Sequence, residues 1–205
     1  MVALQSKFPY HVTARCINRE WFQLPMDRVW EIMGEQLYFV QRAFGVRVTA
    51  FVLMHNHFHL IIQTPASNLD HAMRWFMRET SRTLTREGNR LNMTYGGRYF
   101  RSILDSDQYF LHAYKYVYLN PVRAGFAGSV LNYRYSSLPC VLGLYPLPFA
   151  VHDETLLSSV DETLAWLEKI PERRNWDSVQ KALRRRVFRL GKVDTKPHPL
   201  ERDLL

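Results

Sequence analysis

Two short segments of this chain hold side chains whose types and spacing can do chemistry. The first is the apolar run His57-Phe-His-Leu-Ile-Ile-Gln63. On a β-strand alternate side chains share a face, so His57 and His59 project together, about 7 Å apart along the strand, and Phe58 enters the opposite face. Two imidazoles held that way can converge on one divalent metal. The same spacing serves a half-buried pair satisfied by neighbouring hydrogen bonds, and a metal site needs a third ligand from elsewhere in the chain.

The second segment is Leu111-His-Ala-Tyr-Lys-Tyr-Val-Tyr-Leu-Asn-Pro121. Tyr116 and Asn120 are four positions apart, which puts both on one helix face about one turn from each other. A phenol is a competent nucleophile toward phosphorus once it loses its proton beside a metal-polarised phosphoryl oxygen. The Asn120 amide oxygen is placed to complete such a metal shell. Simple packing is the competing account, since Tyr109, Tyr114, Tyr116 and Tyr118 can all serve as core aromatics.

These residues need elements to carry them. Tyr10 to Cys16 reads as a strand, and Asp27 to Ala43 as a helix with Asp27 as its N-cap. Val46 to Met54 and His57 to Thr64 read as a hairpin around a short His-Asn turn. Asn68 to Arg86 is an amphipathic helix, Tyr99 to Leu104 a further strand, and Ser106 to Leu119 a helix stopped at Asn120-Pro121. The order β-α-β-β-α-β-α is that of an α+β ferredoxin-like sandwich, a central antiparallel sheet with helices on one side.

Charge narrows the partners. The 205 residues carry 27 Lys+Arg against 19 Asp+Glu, a net of +8 with a pI near 9.7, which favours a polyanion, nucleic acid first. With 47% apolar and 22% charged residues the composition is globular, so disordered and fibrous classes drop out. Cys16 and Cys140 are too few for a disulfide framework or a four-cysteine zinc site, and they fit a reducing cytoplasm. No apolar run approaches a membrane span, and the N-terminus lacks the apolar stretch of a signal peptide, so a soluble, cytoplasmic protein without a membrane partner is expected.

The basic charge is unevenly spread. Residues 1–149 carry 16 basic and 9 acidic side chains, residues 150–171 five acidic against Lys169 alone, and residues 172–205 ten basic against five acidic. The proline-broken stretch Leu144-Tyr-Pro-Leu-Pro-Phe149 divides a compact basic domain, 1–143, from a linker and helical extension with a basic tail, 144–205. In that tail Asn175 caps a helix with Trp176, Val179, Leu183 and Val187 as its apolar positions, and Arg184, Arg185 and Arg186 add charge. Clamping DNA and packing on the core are both open to it.

In their detail the segments resemble the REP-associated tyrosine transposases, within the single-tyrosine HUH transposase (IS200-like) family. The resemblance rests on Tyr10-His-Val-Thr-Ala-Arg15, Met54-His-Asn-His-Phe-His-Leu60, Gly97-Arg-Tyr-Phe-Arg-Ser102, Tyr116-Val-Tyr-Leu-Asn-Pro-Val-Arg-Ala-Gly125 and Tyr133-Arg-Tyr-Ser-Ser137, in family order across about residues 8–140. It implies His57 and His59 as metal ligands for Mg²⁺ or Mn²⁺, Tyr116 as nucleophile and Asn120 as the nearby polar ligand. It implies cleavage and rejoining of single-stranded or hairpin (REP-type) DNA through a 5′-phosphotyrosine. One departure is His55, where the family usually has proline, and a changed turn is expected there. Relaxases place the tyrosine before the histidines, and replication initiators continue into a helicase, for which there is no phosphate loop here.

Arginines supply the expected DNA contacts. Arg74, Arg78, Arg82 and Arg86 recur at four-residue steps and lie within about 120° of one another on their helix. Arg15, Arg98, Arg101 and Arg123 fall inside the family-like blocks, and Arg19 follows the first of them. Two other readings stand beside the transposase: a domesticated DNA-binding protein that no longer cuts, and an RNA-binding module, for which no sequence block is present. Monomer and homodimer are equally open.

Overall fold

Strand-forming runs of β-branched and aromatic residues build one sheet in the computed structural model, which describes residues 4–155 and 159–205. The first three residues, and three residues of the acidic segment 150–171, therefore lie outside the described residues. The strands are β1 (Tyr10–Arg15), β2 (Arg47–Leu53), β3 (His57–Gln63) and β4 (Phe100–Ile103). All pairings are antiparallel, in the order β2-β3-β1-β4. Helices α1 (Met26–Phe44) and α2 (Leu69–Glu87) cross over between strands, which gives the α+β ferredoxin-like arrangement expected from the element order.

The expectation of helices on one side is corrected. Tyr10, Val12, Phe58, Leu60 and Ile62 pack with α1 and α2 on one face of the sheet. On the other face Ala50, Val52 and Ile61 pack with α3 (Asp107–Arg123), α5 (Val160–Glu168) and α6 (Arg173–Ala182). The cause is visible in β3, whose Phe58-His-Leu-Ile-Ile62 is buried throughout, because a strand without polar alternation must be covered on both faces. A short helix, α4 (Ser137–Val141), lies against β2, where Ser137 Oγ accepts from the Phe51 amide. No helix among the described residues is long and apolar enough to cross a membrane.

Three element ends differ from the sequence reading. Helix α1 is capped by Pro25 and leaves through Gly45 at φ 64°, a left-handed turn that favours glycine. Asp27 sits inside its first turn, where a carboxylate complements the helix dipole, and pairs with Arg134 at 3.3 Å. Helix α3 runs through Pro121 to Arg123, because the sheet and the C-terminal helices hold its flank and only one backbone bond is forfeited so near the end. Helix α6 begins at Arg173, with Glu172 rather than Asn175 as N-cap. Val187 lies beyond it, in a bridge beside Ile103 of β4.

The C-terminal residues are part of the second core. Trp176, Val179, Ala182, Leu183, Phe188, Leu190, Leu200 and Leu205 are all buried in the cluster that covers α3. Gln108 donates to the Leu200 carbonyl at 2.8 Å, and the Leu205 amide donates to His112 Nδ1 at 3.2 Å.

Candidate active site

Register decides which side chains meet. Opposite β3, Thr13 pairs with His59 and Arg15 with His57, while His11 pairs with Ile61. Directly opposed residues share a face, so His11, Thr13 and Arg15 join His57 and His59 on the face that α3 covers. The α3 residue that meets them is Tyr116. Its ring stands edge-on to His59 at 5.6 Å between centroids and edge-on to His11 at 6.4 Å.

The other tyrosines of α3 are anchored elsewhere. Tyr114 donates to Asp153 at 2.5 Å, Tyr118 shares a hydrogen bond with Ser137 at 2.9 Å, and Tyr109 donates to Glu201 at 2.8 Å. Tyr116 lies beside the histidines under the C-terminal helix. Trp176 of α6 stacks on it at 4.5 Å, and Gln180 Nε2 donates to its hydroxyl at 3.2 Å. The ring is 5% exposed.

The two expected metal ligands have well-defined hydrogen bonds. Asn56 Nδ2 donates to the Arg19 carbonyl at 2.8 Å, which orients its amide, so Oδ1 accepts from His57 Nδ1 at 2.7 Å and leaves His57 Nε2 as the lone-pair nitrogen. His59 Nδ1 lies 2.9 Å from His11 Nε2, and His59 Nε2 is buried without a hydrogen-bond partner. Burial, with the nearby Arg15 and His11 adding to it, pulls His57 down to about 3, and burial with His57 next pulls His59 well below 6.5. Neutral imidazoles with free Nε2 atoms suit a divalent cation. Among the described residues no three His, Cys, Asp or Glu side chains group to hold a metal. Asn120 lies half-buried one turn beyond Tyr116, outside the cleft described next.

That cleft, of about 520 Å³, is lined by His11, His59 and Tyr116 at its floor and by Arg15, Arg19, Arg98 and Arg184 at its walls. Asn18 and Arg19 both take positive φ, 56° and 59°, in the turn leaving β1, a conformation uncommon for arginine. Gly96 comes so close to this turn that a Cβ there would sit 3.2 Å from the Ile17 Cα. Burial and then repulsion from Arg19 lower the Arg15 pKa.

The remaining arginines are elsewhere. Arg123 lies over the Trp176 ring at 5.3 Å. Arg101 faces α2 and pairs with Asp70 at 2.9 Å. The stripe of α2 is on the opposite side of the sheet from the cleft. Arg78 and Arg82 approach Glu79 at 2.7 and 3.9 Å, and Arg86 approaches Glu87 at 3.7 Å. Helix α2 packs beside α1 on one face of the sheet, and loop lengths alone do not say which face that is. His55 packs between Trp21 and Phe126, at 4.8 and 4.2 Å, which is what the turn does in place of proline.

His11, Trp176, Gln180 and Arg184 were not singled out from the sequence as site residues. His11 had a signal, because it alternates with Thr13 and Arg15 in one strand. Trp176 and Gln180 had none, since their approach depends on how α6 folds back, and Arg184 had only its place in a basic tail open to clamping DNA.

The model of the family described as "Transposase IS200 like" matches residues 4–122, more than half of the chain. A REP-associated tyrosine transposase of Escherichia coli (strain K12) is 24% identical over 123 residues, covering 59% of this chain and 73% of that protein. A solved structure of a REP-associated tyrosine transposase bound to a REP hairpin superposes with a TM-score of 0.58 at 22% identity, over 74% of this chain and 90% of the other.

Proposed function

The chain belongs to the IS200-like transposase family, and from that premise we propose that it cleaves and rejoins single-stranded or hairpin DNA through a 5′-phosphotyrosine on Tyr116. The observation that carries this reading is the meeting of Tyr116 with His59 at 5.6 Å on the floor of a cleft walled by arginines. A REP hairpin is what the structural relative is bound to. DNA is the partner that the net charge of +8 favours.

In this reading the Tyr116 oxygen attacks the scissile phosphorus, the P–O3′ bond breaks, and the departing 3′-oxygen takes up a proton. The 5′-phosphate stays esterified to Tyr116. A later 3′-hydroxyl reverses the step without ATP, because the ester bond conserves the energy of the one it replaced. Arg15, Arg19 and Arg98 bind the flanking phosphates and draw the strand into the cleft. His57, His59 and Asn120 would hold a divalent cation, Mg²⁺ or Mn²⁺, which supplies Lewis-acid polarisation of a phosphate oxygen. His57 and His59 stay neutral by burial, so they ligate rather than repel.

The test is incubation with an end-labelled hairpin carrying single-stranded flanks, with Mn²⁺, followed by denaturing electrophoresis. A labelled species migrating with the protein is expected. Hairpin binding with no such adduct under any divalent cation would overturn cleavage and leave a DNA-binding protein.

A further inference from the structure

A neutral imidazole has one N–H and one lone pair, so the 2.9 Å contact between His11 Nε2 and His59 Nδ1 has two proton arrangements. If His11 donates, His59 must carry its own proton on Nε2, the buried nitrogen without a partner. His59 could then bind no cation through Nε2, and either arrangement leaves one buried N–H without a partner, on His59 Nε2 here and on His11 Nδ1 in the other. If His59 donates instead, its Nε2 keeps a lone pair free for a ligand. The second arrangement matches His57, whose Nδ1 donates to Asn56 and whose Nε2 is free.

We propose that His11 is a positioning residue: its Nε2 accepts a hydrogen bond from His59 Nδ1–H and holds His59 in the tautomer whose Nε2 can ligate a divalent cation. The choice between the two tautomers rests on the metal reading above, because one buried N–H is left without a partner either way. The rigidity comes from the sheet. His11 sits on the central strand β1, diagonal to His59 across the β1–β3 ladder, with the two rings stacked at 5.1 Å and 25°. His11 is 2% exposed, so no water competes for the contact. Partners behind a metal-bound histidine commonly raise metal affinity 10–100-fold by fixing tautomer and orientation.

The experiment uses the full chain and two substitutions. His11→Leu fills a similar volume without an acceptor, and His11→Gln supplies an oxygen that can accept. Mn²⁺ binding, followed by loss of the free-ion electron paramagnetic resonance signal, should weaken roughly 10–100-fold in H11L and recover in H11Q. A role limited to apolar packing gives the reverse order, and that order would overturn the proposal. The second readout is ¹⁵N NMR of histidine rings in the metal-free wild-type protein, which needs no substitution and survives a variant that does not fold. His59 protonated on Nδ1 is expected, and protonation on Nε2 would overturn the proposal. Failure of the metal reading looks different: wild type and the His57→Ala, His59→Ala double variant would bind Mn²⁺ alike, whichever His59 tautomer the wild-type spectrum shows.

Discussion

Trp176 of α6 lies stacked on Tyr116 of α3, 4.5 Å between ring centroids and 27° between planes, while Gln180 one turn further along donates to the Tyr116 hydroxyl at 3.2 Å. The oxygen proposed as the nucleophile is thus already engaged by the C-terminal segment. Removing that hydrogen bond should free it. Gln180→Ala is expected to raise the initial rate of adduct formation several-fold, since a hydrogen bond of this kind is worth about 1 kcal/mol. Time courses on one labelled hairpin check it, and a rate equal to or below wild type would count against competition. Trp176→Ala is a different case, because that ring is buried, and a loss of about 3–5 kcal/mol of stability should accompany any gain in rate.

Replacing Tyr116 by Phe should abolish the covalent adduct and leave hairpin affinity nearly unchanged, because only the attacking oxygen is lost. Tyr109, Tyr114 and Tyr118 cannot take over without breaking their bonds to Glu201, Asp153 and Ser137. An adduct retained in Y116F, mapped by peptide sequencing, would move the chemistry to another residue.

Stability should depend on pH through the buried imidazoles. Burial holds His11 and His57 down at about 3, and His59 well below the ordinary 6.5. The unfolded chain therefore binds protons that the native state refuses, so stability is full above pH 6.5 and falls as pH drops toward 3. Each ring contributes a slope of about 1.4 kcal/mol per pH unit within that window. Urea unfolding of His57→Gln between about pH 6 and 5 should lose one such increment of slope. An unchanged slope would mean that His57 is not held neutral by the fold.

The two arginine groups should separate in a salt series. Arg15 and Arg98 line the cleft, and an Arg15→Ala, Arg98→Ala variant should flatten the plot of log affinity against log salt by about 1.4 for single-stranded DNA. The Arg78→Ala, Arg82→Ala variant, on the far side of the sheet and already beside Glu79, should keep the wild-type slope. Flattening in the second variant would carry the DNA around the edge of the sheet onto α2. Sequence preference should change little in either, because phosphates carry no base identity.

Much of this was legible in the residues themselves. Period-two and period-3.6 patterns located all four strands and the long helices, and the β-α-β-β-α-β order permitted few other sheets. His57 and His59 had to share a face because strand geometry allows nothing else. Tyr116 and Asn120 likewise had to share a helix face. What propensity could not settle were helix ends: Pro121 is a strong local stop signal, but packing on both flanks of α3 outweighs one lost backbone bond.

Tertiary structure decided which of these faces meet. Strand register put His11 behind His59, and register is a long-range choice, made by burial on two faces rather than by β1 alone. Four tyrosines of α3 are equivalent in sequence. Only the rotation of the helix on the sheet turns Tyr116 toward the histidines and the others toward Glu201, Asp153 and Ser137. The same holds for charge: the α2 stripe and the Arg15 cluster look alike as strings of residues, yet the sheet stands between them. A sequence fixes the chemistry of each side chain and its local face, whereas the distance between two faces depends on burying apolar area across the whole chain at once.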